Sequence, residues 1–146
     1  MTRTIALRYW SRMGAWGSGA FDNDAAYDWS SNLTDTDPGD LSFVEETLST
    51  VEDAEDDELD LDLACEAIAA CEVVARLQGR GGRAGAHLSE LDSWVRQHTT
   101  KPSPALVRLA ANVLDRVAAN SSELSVLPDS SVWLSSVQDL RKRVTG

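Results

Sequence analysis

Apolar residues recur along this chain at three- and four-residue spacing, and no alternating run extends beyond a few positions, so the pattern predicts helices throughout. Ala26, Trp29 and Leu33 mark a first helix. Asp22 is a suitable N-cap for it, and Asn23 and Asp24 fall in a first turn that favours negative charge. Asp35-Thr-Asp-Pro-Gly-Asp40 reads as a turn. Leu41, Val44, Leu48 and Val51 then mark a second helix, with Glu45 and Glu46 on its exposed side.

Glu52-Asp-Ala-Glu-Asp-Asp-Glu58 is too charged for a core and reads as a mobile linker whose last acids cap the next helix. Residues 59–78 are apolar nearly all round, interrupted by Glu66, Glu72 and Arg76. Such a helix has to be buried on every side. Glu72 and Arg76 stand at the four-residue spacing of a helical ion pair.

Gly79-Arg-Gly-Gly-Arg-Ala-Gly85 ends that helix as a cap and hinge. A fourth helix over Leu88 to Gln97 turns Leu88, Leu91 and Val95 inward with Trp94 alongside. Ser103 and Pro104 suit the N-cap and first position of a fifth, whose core face is Leu106, Leu109, Ala110, Val113 and Val117. A last helix from about Val132 buries Leu134, Val137 and Leu140, and its cationic Arg141-Lys-Arg143 complements the helix dipole. The expectation is an all-α fold: a single compact domain of about six helices around a central apolar helix at residues 59–78, with mostly antiparallel neighbours.

A chain of 146 residues can bury a core without disulfides or metals. No apolar run is long enough to span a membrane, and no signal-peptide pattern opens the chain. Cys65 and Cys71 lie about 9 Å apart along one helix and on different faces, so they cannot bond each other, which suits a reducing cytoplasm. The net charge of −11 is concentrated: residues 22–62 hold sixteen Asp or Glu and no Lys or Arg. That field repels nucleic acid and anionic lipid and attracts basic partners or cations.

The densest chemistry is Met13-Gly-Ala-Trp-Gly-Ser-Gly-Ala-Phe-Asp-Asn-Asp-Ala-Ala-Tyr-Asp-Trp29, where aromatic residues surround a group of carboxylates. This run resembles the opening of the bacterial family known as domain of unknown function 4259, which begins M-G-x-W-G-x-G-x-F-x-N-D-x-A-x-D-W. Leu114 to Leu124, followed by Trp133 and Leu140-Arg141, is similar to that family's closing helices, apart from a doubled serine at Ser121 and Ser122. The resemblance covers residues 13–146 and implies no activity. Residues 1–12 form an arm outside it, a strand or a frayed segment, with Met13 a candidate start.

Two functional classes follow. The first is a protein-binding module of the immunity, antitoxin or inhibitor type that recognises a basic partner. Its acidic face would be Glu45, Glu46, Glu52, Asp53, Glu55, Asp56, Asp57 and Glu58, with Trp16, Phe21, Asp22, Asn23, Asp24, Asp28 and Trp29 as a second, motif-based cluster. The alternative is an enzyme or metal-binding protein that holds a hard cation with Asp22, Asp24 and Asp28, supplemented by Glu66 or Glu72.

The absence of catalytic signatures favours binding, with no cofactor and no metal. An EF-hand counted from Asp35 fails because Asp40 occupies the glycine position, and the Walker pattern is missing from the glycine loop. His87 and His98 lack ligand spacing and read as surface or capping residues.

Overall fold

A computed structural model describes residues 24–37, 41–55, 61–80, 89–97, 101–119 and 130–146. Those residues form six α-helices: α1 (Asp24–Thr34), α2 (Ser42–Asp53), α3 (Leu61–Leu77), α4 (Ser89–Gln97), α5 (Pro104–Ala119) and α6 (Ser130–Thr145). No strand occurs among the described residues.

The all-round apolar pattern of α3 has the consequence expected of it. All five other helices pack against α3, and every residue from Ala67 to Ala75 is buried. Five of those nine are small (Ala67, Ala69, Ala70, Cys71 and Ala75), which lets neighbouring backbones come close on several sides at once. Helices α2 and α6 each pack on both α3 and α5 and make no substantial contact with each other, so they occupy the two grooves of the α3/α5 pair. Helix α1 lies on α3 and α4.

Periodicity located the core face of each amphipathic helix. Val44, Leu48 and Val51 of α2 are fully buried, as are Val113 and Val117 of α5 and, nearly so, Val137 and Leu140 of α6. In α5, Leu109 is only half-buried while Ala111 and Leu114 join the core. In α4 the large ring takes the inward place: Trp94 is buried and Val95 half-buried, because the indole Nε1 reaches the Thr36 carbonyl after α1 at 3.1 Å. Indole rings bury well when the N–H finds an acceptor. Leu88 and Leu134 lie outside the described side chains.

Helix ends follow local chemistry. Ser103 Oγ accepts from the Leu106 amide at 3.2 Å, the N-cap foreseen beside Pro104. Gly79 ends α3 at φ +79°, with Gly79 N bonded to Arg76 O and Arg80 N to Ala75 O, the paired bonds of a Schellman cap.

One boundary departs from the sequence reading. The acidic run from Glu52 does not begin as linker, since α2 continues through Asp53. Val51 is anchored in the core, and Arg116 of α5 donates from Nη1 to the carbonyls of Val51 (2.7 Å) and Glu52 (2.8 Å). A cation on the last carbonyls offsets the repulsion between successive carboxylates.

Candidate functional site

Trp29 stands where α1 meets α2. Its ring is 4% exposed, stacks on Phe43 with centroids 5.3 Å apart, and donates from Nε1 to Thr47 Oγ1 at 2.8 Å. Of the motif cluster, Trp29 is therefore a core residue that joins two helices. Asp24 and Asp28 lie one turn apart on α1, and the Asp28 side chain is exposed. Trp16, Phe21, Asp22 and Asn23 lie outside the described residues, as does the Asp24 side chain. The 1–12 arm, His87 and His98 lie outside them too.

The acidic face has a clear location. Glu45, Glu46, Glu52 and Asp53 are all exposed on α2, and Glu55 is exposed just beyond it. Val44, Leu48 and Val51 take the buried side of this helix, so helical geometry leaves the carboxylates facing solvent. Asp56, Asp57 and Glu58 are outside the described residues. Glu45, Glu46, Glu52 and Asp53 enter no ion pair among the described residues.

On the α3, α4, α5 and α6 side four carboxylates, Glu72, Asp92, Asp115 and Asp139, are matched with arginines. Glu72 of α3 is 3% exposed. It accepts from Arg143 Nη1 of α6 at 2.9 Å and lies 3.7 Å from Arg76 Nε, the helical pair foreseen from spacing. Arg76 in turn donates to Asp92 of α4 at 2.8 Å, and Arg143 donates from Nε to Asp139 at 3.0 Å. On the surface nearby, Arg141 holds Asp115 of α5 with both Nε and Nη2.

Glu72, the supplementary cation ligand of the alternative reading, belongs to this network. Two guanidinium groups already engage its carboxylate. Burial disfavours the charge of Arg143, yet its hydrogen bonds and attraction to Glu72 and Asp139 prevail and raise its pKa.

Arg143 was missed by a reading that saw only a cationic final turn. The signal was Glu72 itself, a charge inside an all-round apolar helix that needed compensation from another element. Cys65 and Cys71 are both buried, and neither forms a disulfide. Cys71 lies within 3.5 Å of the Ala110 carbonyl, and burial, aided by the neighbouring Glu72 charge, pushes its thiol pKa far up. A thiol held protonated is a packing group and not a nucleophile.

Among the described residues no group of three or more His, Cys, Asp or Glu is placed to hold a metal ion. None of their helices is long and apolar enough to cross a membrane.

These features define a class: an all-helical domain with an alanine-rich axle, arginine-matched carboxylates on one side and unmatched ones on α2. The chain belongs to the family described as Domain of unknown function (DUF4259), whose model matches residues 14–131. That span takes in α1 to α5 and stops at the second residue of α6, so the likeness read at Trp133, Leu140 and Arg141 lies beyond it. No curated protein and no solved structure matches the chain.

Proposed function

We propose that this protein is a binding module of the immunity, antitoxin or inhibitor type, which recognises a basic protein partner through the acidic face of α2 in a reducing cytoplasm. The observation that carries the reading is the contrast between Glu72, Asp92, Asp115 and Asp139, each matched with arginine, and Glu45, Glu46, Glu52 and Asp53, each exposed and outside any ion pair among the described residues. Unmatched surface charge of one sign contributes little to folding but speeds association with an opposite surface and selects among partners. Two buried cysteines that form no disulfide suit the compartment.

The test is capture of partners from the source organism, followed by titration against two variants. One carries Glu45→Gln, Glu46→Gln, Glu52→Gln and Asp53→Asn; the other carries Asp28→Asn on α1. The α2 variant is expected to bind the captured basic protein about tenfold or more weakly, the effect shrinking as salt rises, while Asp28→Asn keeps its affinity. Equal binding by both variants at low salt would assign these acids to solubility alone.

A further inference from the structure

The charges that end α2 have the wrong sign for a helix C-terminus. Glu52 and Asp53 stand in its last turn, no basic residue of α2 accompanies them there, and Glu55 follows just beyond. The negative end of the dipole and the adjoining carboxylates both favour fraying. The turn is nevertheless complete: α2 continues through Asp53, and the chain leaves it at Ala54, which is extended at φ −66° and ψ 142°.

The last four carbonyls of a helix lack partners within it. Arg116, half-buried on α5, serves two of them from one nitrogen, Nη1, which donates to the Val51 carbonyl at 2.7 Å and the Glu52 carbonyl at 2.8 Å. Order supplied from another helix against the preference of the local sequence is a mark of functional positions.

What this order fixes is a spacing. Glu45 with Glu46, and Glu52 with Asp53, are two exposed acidic pairs seven residues apart on α2. Seven residues of helix advance about 10.5 Å and return to within about 20° of the same face. Between the pairs stand Ser49 and Thr50, both small and exposed, and Thr50 turns its hydroxyl back to the Glu46 carbonyl at 2.8 Å. The face is two pairs of carboxylates across a low saddle. A helix with arginines seven residues apart matches it, whereas a compact run of cations meets one pair at a time.

We propose that Arg116 is a positioning residue of this face: it holds the second acidic pair in helical register with the first, so that the face selects a helical partner whose basic residues recur at seven-residue spacing. The inference rests on the binding role proposed above for α2. Truncating Arg116 also removes a positive charge beside a negative face. Charge alone therefore predicts tighter binding of any cationic partner, and positioning predicts weaker binding of the matched one.

The probes are two alanine-based helical peptides of equal charge, one with two arginine pairs seven residues apart and one with its four arginines consecutive. Each is titrated at low salt against the full chain, well below its melting temperature. The wild type should bind the spaced peptide about threefold or more tightly than its isomer, a difference within the worth of one surface ion pair. Arg116→Met should lose that preference by binding the spaced peptide about threefold more weakly. Arg116→Lys, whose ammonium can still donate to both carbonyls, should regain part of it.

No preference in the wild type overturns the proposal, as does tighter binding of both peptides by Arg116→Met or a preference that this variant keeps. The variant with Glu45→Gln, Glu46→Gln, Glu52→Gln and Asp53→Asn separates the proposal from the reading beneath it. If it binds both peptides as the wild type does, α2 is not the binding face and both fall; if it loses binding while Arg116→Met keeps the preference, only the positioning role falls. Arg116→Gln carries the same expectation should Arg116→Met not fold, and loss of the fold in both overturns the proposal, since Arg116 would then hold the core.

Discussion

Cys71 shows how one side chain couples stability to pH. Burial, then the Glu72 charge, raises its thiol pKa in the folded state above the ordinary value of about 8.5. Above that pH the unfolded chain gives up the thiol proton while the folded chain keeps it, so the unfolded state binds fewer protons and stability falls as pH rises. Urea unfolding between pH 8 and 10 should show this decline, at up to about 1.4 kcal/mol per pH unit, and Cys71→Ala should lose that part of the slope. A variant with the undiminished slope would place the effect elsewhere.

Trp29 combines ring stacking on Phe43 with a hydrogen bond to Thr47. Trp29→Ala should cost about 3–5 kcal/mol in urea unfolding, and Trp29→Phe about 1–2 kcal/mol, since it keeps a ring but leaves the Thr47 hydroxyl without the indole donor. Unchanged stability in both would contradict the core position of this ring. The burial of Trp29 was legible in the sequence from its spacing with Ala26 and Leu33; its partner Phe43 was not, because that contact crosses from α1 to α2 and leaves no mark in local periodicity.

At the scale of elements, the fold was legible where periodicity is the physical cause. An apolar helix all round implied a central axle, and α3 is one. Caps were legible for the same reason, since Ser103 and Gly79 act on neighbours three to five residues away. The end of α2 was not, because the chain is kept helical through Asp53 by an arginine 64 residues further on.

That dependence yields a prediction. Arg116→Met should lower stability by about 1–2 kcal/mol and speed amide exchange at Glu52 and Asp53 more than at Val44, as the last turn of α2 loses its cation. Equal change along α2 would mean that the arginine acts on packing and not on the helix end.

For the whole molecule, the acidic tract was legible as composition, but its division into matched and unmatched carboxylates was not. Four-residue spacing relates Glu72 to Arg76 and Asp139 to Arg143, whereas the arginines that match Asp115 and Glu72 arrive from α6, 26 and 71 residues away in the chain. The placement of α2 and α6 in opposite grooves of the α3/α5 pair has one more consequence. Helix α2 carries Glu45, Glu46, Glu52 and Asp53 with no cation, while α6 carries Arg141, Lys142 and Arg143 against Asp139 alone. Because Glu72, Asp115 and Asp139 match the arginines of α6, the charge of the described residues is uneven across the helix axes, unmatched and negative on the α2 flank and nearly balanced on the α6 flank. In the field of a cationic surface the molecule experiences a torque that turns the α2 flank forward before any contact is made, so a collision from a random direction becomes an oriented one.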